Sequence, residues 1–311
     1  MKKVIYTLVL LAAVIGAKAQ INQYFWLDGK LMLGTQIAAT DSVTYEYVDT
    51  DSIMLYFPQT AIIHDTIIVH DTVYITDEEG GLTGRFSVSA TTTVQFSKGN
   101  LQYKASTNTW RFAEPQYDVA DYDNTKIGAS DSTWIDLFGW GTGNNPTFTS
   151  HTATDYSTFV DWGANAISNG GNTANTWRTL SKDEWMYLFN TRANAANLYG
   201  QGSVNGMNGV ILLPDNWTLP TGISFVSGIG YSNNVYTTAQ WSVMESAGAV
   251  FLPAGGGRDG ATVVSIGEEV RYWSSTEVDS EHAYYMYFNT TRYNPESSNY
   301  RDRGQSVRLV R

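Results

Sequence analysis

The chain has 311 residues with no cysteine, and 19 lysines and arginines stand against 30 aspartates and glutamates for a formal net charge of −11. Without a thiol there is no disulfide, no thiolate nucleophile and no cysteine to carry a lipid. The negative balance disfavours nucleic acid and anionic membrane surfaces, while many Trp and Tyr beside abundant Gly and Asn suit a β-rich fold with long turns.

Lys2 and Lys3 precede an apolar run from Val4 to Ala17, and Ala17-Lys18-Ala19 reads as a cleavage site before Gln20. This pattern predicts a secretory signal peptide over 1–19, too short to serve as a mature membrane anchor. Its removal takes away three lysines and no acid, lowering the basic count from 19 to 16 against 30 acids, a net charge of about −14. No other apolar stretch approaches ~20 residues, so no transmembrane segment is expected. Residues 20–60 read as a small β module: Tyr24-Phe25-Trp26-Leu27 and Leu31-Met32-Leu33 flank Asp28-Gly29, a strong hairpin signal.

Residues 61–81 read as an extended spacer containing the repeat His64-Asp65-Thr66 and His70-Asp71-Thr72. In an extended chain the two histidines stand roughly 20 Å apart and cannot share a metal ion. The spacer is β-prone and could pair with another chain. Asp77-Glu78-Glu79-Gly80-Gly81 closes it, and the main domain is expected over 82–311.

In that domain Phe86–Ser89, Val94–Ser97, Leu101–Tyr103 and Trp110–Phe112 read as strands, and Trp134–Gly141 as core. Asp118, Asp121 and Asp123 lack the glycine and distal glutamate of a calcium loop, so a solvated acidic loop is the better reading. Helices are expected over Asp155–Ser168, after Ser181 with its capping partner Glu184, and over Thr238–Ala247 with Gly248 as its stop. Val210–Pro214 and Ala249–Pro253 read as buried strands running into turns. Arg271–Tyr300 reads as strand and long polar-aromatic loop, with Tyr285 and Tyr287 facing opposite to Tyr284, Met286 and Phe288. One of these two sets is expected to be buried, leaving the other as a possible surface platform.

Trp177-Arg178-Thr179-Leu180-Ser181-Lys182-Asp183-Glu184-Trp185 resembles the W-R-L-P-T-x-x-E-W segment of the formylglycine-generating-enzyme and sulfatase-modifying-factor superfamily. Phe251–Arg258, Tyr272–Glu277 and Ser306–Val310 resemble segments of the Fibrobacter succinogenes major paralogous domain, a family of secreted bacterial proteins. The resemblance covers 177–311 and implies an α+β, C-type-lectin-like fold: a twisted, mostly antiparallel sheet, two or three helices and long loops. The cysteine chemistry of the formylglycine-generating enzymes does not carry over, because this chain has no cysteine. Nor does calcium-dependent sugar binding: Glu114-Pro115-Gln116 precedes the helices, where the lectin loop follows them, and Trp273-Ser274-Ser275 offers poor ligands.

No enzyme constellation emerges. His282 within Asp279-Ser280-Glu281-His282 has no G-x-S-x-G partner, and Gly255-Gly256-Gly257-Arg258 lacks the Lys-Ser/Thr of a phosphate loop. Glu268, Glu269, Glu277, Asp279 and Glu281 are too numerous for spacing to select a glycosidase pair. The expectation is a secreted or cell-surface, non-enzymatic recognition protein of a Gram-negative bacterium, with no cofactor and no metal. It would bind an extracellular glycan or protein through Arg292, Tyr293, Asn294, Asn299, Tyr300, Arg301 and Arg303, since Tyr and small polar residues make adaptable contact surfaces. Substituting Tyr293, Tyr300 and Arg301 together is expected to abolish ligand capture with little effect on thermal stability. The alternatives are a fimbria-like or matrix subunit assembling through 61–76, and a carbohydrate-active enzyme.

Overall fold

The computed structural model describes residues 80–311 and, before them, the backbone of five strands; the chain forms two units, Met1–Asp77 and Glu78–Arg311. In the first unit β1 (Tyr6–Val9), β2 (Gln20–Leu27) and β3 (Lys30–Ala38) form an antiparallel sheet, and β4 (Thr44–Tyr47) pairs with β5 (Ile53–Tyr56). Leu27 pairs with Lys30 at the ends of β2 and β3, while Asp28-Gly29 itself lies outside the described residues. β1 falls within the expected leader. The His-Asp-Thr repeat and the spacer as far as Glu79 lie outside the described residues.

The second unit is α+β, mostly sheet with two short helices. β6 (Phe86–Ser87) pairs with β7 (Thr93–Val94), and β8 (Leu101–Lys104) with β9 (Thr109–Phe112). β10 (Arg178–Thr179) leads to α1 (Lys182–Met186), which continues as a π-helical turn through Thr191. β11 (Tyr199–Val204), β12 (Met207–Leu212), β13 (Val235–Tyr236) and, after α2 (Thr238–Ser246), β14 (Val250–Pro253) form a sheet in the order β13-β11-β12-β14. β15 (Gly257–Asp259) and β16 (Thr262–Val264) make a hairpin, and β17 (Val270–Glu277), β18 (His282–Phe288) and β19 (Tyr293–Tyr300) an antiparallel sheet. β20 (Leu309–Val310) returns to pair with β10, while Gln95 and Arg311 exchange backbone hydrogen bonds of 2.9 and 3.0 Å. Both ends of the unit are thereby tied into one place.

Local chemistry explains the helices. The Ser181 hydroxyl accepts from the Glu184 N–H at 3.2 Å and the Ser181 N–H donates back to the Glu184 carboxylate at 2.8 Å, the capping box the sequence announces. Thr237 and Gln240 form a second box at the start of α2, and Gly248, at φ 95°, ends it in a conformation that disfavours side chains.

Asp155–Ser168 is not a helix. The Asp161 carboxylate instead accepts from the Gly163 and Thr179 N–H groups at 3.0 and 2.9 Å, and Gly163 packs directly on the Trp177 carbonyl. What helix remains is two 3-10 turns, Ala153–Asp155 and Trp162–Ala164, and between them the Val160 N–H and carbonyl, which a helix would have claimed, are taken by Gly141 and Gly143.

The core has two faces meeting at β18. Met286 and Phe288 join Trp185, Phe189 and Leu252 on one side. On the other, Tyr285 and Tyr287 join Trp140, Trp162, Trp177 and Trp273. The predicted alternation is present, but neither set is a surface platform: β18 is the middle strand of its sheet and is covered on both faces. Each large side chain so buried contributes roughly 1.5–3 kcal/mol, and a third cluster about Trp241, Met244 and Phe251 adds to these two.

Candidate functional site

The residues expected to form a contact surface lie along β19 and just beyond it, and most are committed to their own backbone or to the core. Tyr293 is half-buried, stacked on Phe288 at 5.3 Å, with its hydroxyl donating to Asn190 at 3.1 Å. The Asn294 carboxamide oxygen accepts from the Glu296 N–H at 3.1 Å, and that of Asn299 from the Tyr300 N–H at 2.9 Å. Arg303 is ion-paired with Asp259. Arg292 is exposed, 5.4 Å from the Tyr287 ring, and Tyr300 is exposed with its ring 4.4 Å from His282.

Arg301 corrects the expectation most clearly, since it is only 2% exposed. Its guanidinium lies 4.4 Å from the Trp140 ring, donates to the Tyr156 carbonyl at 3.1 Å and the His282 carbonyl at 3.3 Å, and pairs with Glu277 at 2.8 Å. It also donates to the Asp279 carbonyl. A buried cation with this many acceptors is a structural strut. Arg192, Arg258 and Arg308 are also buried.

Following Arg301 inward leads to a cleft of about 400 Å³ between Trp140–Asn145 and Asp155–Val160, with Phe148 at its side. Its frame is set by backbone pairing: the Val160 N–H donates to Gly141 at 3.0 Å and the Gly143 N–H to Val160 at 3.1 Å, closing the intervening loop. Gly139 packs against the Tyr156 ring, and Gly141, at φ 69°, abuts the Phe159 backbone. The Tyr156 hydroxyl donates to the Phe148 and Ser150 carbonyls at 3.3 and 3.1 Å, and burial pushes it up to about 12. Trp140 is held from behind, its N–H donating to the Arg301 carbonyl at 2.9 Å and its indole N–H to Ser274 at 2.9 Å. The walls are therefore rigid.

The rim is different. Asn144, Asn145, Ser157 and Thr158 are exposed, and among the described residues their side chains have no hydrogen-bond partner. Asp155 is the one carboxylate in the lining, and it accepts from the Ser150 hydroxyl. Fixed aromatic walls with unsatisfied amides and hydroxyls at the mouth suit non-covalent capture of a polar ligand. The sequence reading of Trp134–Gly141 as core is correct for Ile135, Leu137, Phe138 and Trp140. It overlooked Asn144-Asn145-Pro146, a turn directly after a buried aromatic block, which was the available signal.

Other candidates stay apart. His282 Nδ1 is 2.9 Å from Asp279 Oδ1, and the Glu281 N–H, then His282, hold the Asp279 carboxyl below its usual range. No serine completes a triad there. Asp123 pairs with Lys126 at 2.6 Å, and among the described residues no three acids or histidines converge as metal ligands. Arg258, closing the glycine run, donates to the Gly260 carbonyl at 2.7 Å and supports a turn. Among the described residues no helix is long and apolar enough to cross a membrane.

Compared with known proteins, the chain matches no protein-family model, no curated protein and no solved structure.

Proposed function

We propose that the chain is a secreted, non-enzymatic recognition protein whose 82–311 domain has a C-type-lectin-like fold of the Fibrobacter succinogenes major paralogous type, and that it captures an extracellular glycan or protein in the cleft beside Trp140. The fold reading is supported by how the four landmark segments meet. Arg178 grips both Glu184 carboxylate oxygens at 2.8 and 2.6 Å and pairs across strands with Val310. Tyr272 bridges to Ser306, and its hydroxyl reaches the Pro253 carbonyl at 3.4 Å. Segments far apart in sequence thus build one junction, which accounts physically for their being fixed together.

The observation that carries the function is the contrast between the cleft's pinned walls and its unpartnered polar rim. The non-enzymatic reading is supported by the lining: one carboxylate cannot do the work of the two that glycoside hydrolysis requires. The experiment is a glycan and extracellular-protein array probed with the labelled chain and with Thr158→Trp, which fills the mouth. Specific capture by the unaltered chain and its loss in the variant is the expected result. Capture that survives Thr158→Trp removes the cleft from the proposal, and hydrolysis of an array glycan removes the non-enzymatic reading.

A further inference from the structure

We infer that the ligand of this cleft is a neutral, hydroxyl-rich saccharide held by direct hydrogen bonds without a bridging calcium ion; the inference rests on the cleft being the recognition site. Charge comes first. No Lys or Arg lines the cleft, and its single ionisable acid is Asp155, in a chain of formal charge −11. A uronate, sulfate or phosphate would meet a carboxylate and no cationic side chain in the lining. Of the guanidiniums behind the lining, Arg258 donates to the Gly260 and Leu137 carbonyls, and Arg301, behind Trp140 and Tyr156, is already engaged by Tyr156, Glu277 and Asp279. Neither lines the cleft.

A cationic peptide is also poorly served. Asp155 is exposed and shares its carboxylate with the Ser150 hydroxyl, and a lone exposed ion pair contributes little to affinity.

Hydrogen-bonding capacity selects positively. A carboxamide presents a donor and an acceptor side by side, and Asn144 and Asn145 place two of them at the rim. Sugar hydroxyls are themselves both donors and acceptors, so neighbouring hydroxyls satisfy an amide at both ends. Ser157 and Thr158 add two further groups of the same dual character. Phe148, half-buried and 4.8 Å from the Tyr156 ring, supplies an apolar side wall for the C–H face of a sugar. The calcium-dependent alternative needs six to eight oxygens with several carboxylates, and the lining has one.

The test is calorimetric titration of the intact chain with neutral hexasaccharides of glucose and mannose, with an oligogalacturonate of equal length, and with an Arg/Lys-rich peptide, each in calcium and in EDTA. Neutral saccharide should bind equally in both media. Asn144→Ala and Asn145→Ala should each weaken binding roughly tenfold, the loss of one or two hydrogen bonds. Both side chains are exposed, so near-UV circular dichroism should be unchanged, and Asn145→Asp, equal in size, should weaken binding as well. Asp155→Asn should admit the oligogalacturonate that the unaltered chain refuses. Preference for the acidic oligomer or the peptide, absence of neutral-saccharide binding, or loss of binding in EDTA overturns the inference. If a protein or charged ligand is captured and Thr158→Trp abolishes that capture, the cleft stands as a recognition site and only the saccharide assignment falls. If neutral saccharide binds and neither asparagine variant nor Thr158→Trp affects it, the cleft itself is refuted.

Discussion

Replacing Arg301 with alanine separates two accounts of the same residue. As a ligand contact it would cost binding and leave stability unchanged; as a strut it should cost mainly stability. Removing the charged donor from the buried Tyr156 carbonyl costs ~1.5–3 kcal/mol. Losing the cation over the buried Trp140 ring, 4.4 Å away, costs up to ~2 kcal/mol more. The Glu277 pair adds little, because that carboxylate is 66% exposed. The expected total is about 4 kcal/mol, which in a domain of this size lowers Tm by roughly 8–16 °C. Urea unfolding and calorimetry of Arg301→Ala measure this directly. Arg301→Lys, keeping the charge without the fork, should fall between the alanine variant and the unaltered chain. A loss below ~1 kcal/mol for the alanine variant, with ligand capture abolished, would refute the structural account and restore Arg301 to the contact surface.

Three further outcomes are expected. Burial alone would raise Glu184, but the Arg178 guanidinium and the Ser181 N–H and hydroxyl more than offset it and hold the carboxyl below its ordinary value of 4.5. The stabilisation is therefore present above that value and is lost as pH falls through the depressed one. Glu184→Gln should cost about 1–2 kcal/mol at pH 7 in urea unfolding, and the gap should close in acid. Burial pushes Asp136 the other way, from 3.8 up to about 6, against hydrogen bonds from Asn124 and the Ala120 N–H. Its proton is held more tightly in the folded state, so its contribution is greatest below 3.8 and declines as pH rises to about 6. Relative to the unaltered chain, Asp136→Asn should gain on the order of 2–3 kcal/mol between pH 4 and pH 7, and a flat difference would contradict the assignment. Finally, Asn294→Ala with Asn299→Ala uncovers the Glu296 and Tyr300 N–H groups on the edge strand β19. Sedimentation should then show self-association that the unaltered edge resists, and an unchanged monomer would show that these amides do not guard it.

Elements set by local chemistry were legible. The Ser181–Glu184 box and the Gly248 stop each depend on a few adjacent residues, and each is where the sequence places it. The 155–168 segment was illegible for the opposite reason. Its helix-like pattern loses to Asp161 bonding across to Thr179 and to Gly163 fitting against Trp177, contacts no local window contains. Burial on both faces of β18 was hidden likewise, because alternation reveals two faces of a strand but not whether anything covers each. The cleft was legible only as a polar turn, Asn144-Asn145-Pro146, after Trp140; that Val160 folds back to close it appears only in three dimensions.

That the proposed contact surface moves from β19 to the cleft follows from one physical ambiguity. Tyr, Asn, Ser and Arg serve recognition because they make hydrogen bonds readily, and an edge strand with a long return segment needs those same bonds for itself. In β19 the asparagines quiet an exposed ladder and Tyr293 seals the core, and just beyond it Arg301 gathers the Tyr156, Asp279 and His282 carbonyls onto one guanidinium. Composition cannot distinguish a bond offered outward from one already made. Satisfaction can: the 140–160 cleft is distinguished because its walls are fully bonded while the amides of Asn144 and Asn145 have no partner among the described residues. A rim amide solvated by water loses little when a sugar hydroxyl replaces that water, whereas drawing Asn294 or Arg301 to a ligand would first break a bond the fold depends on. That difference in starting state, more than residue type, is why the proposal puts binding in the cleft.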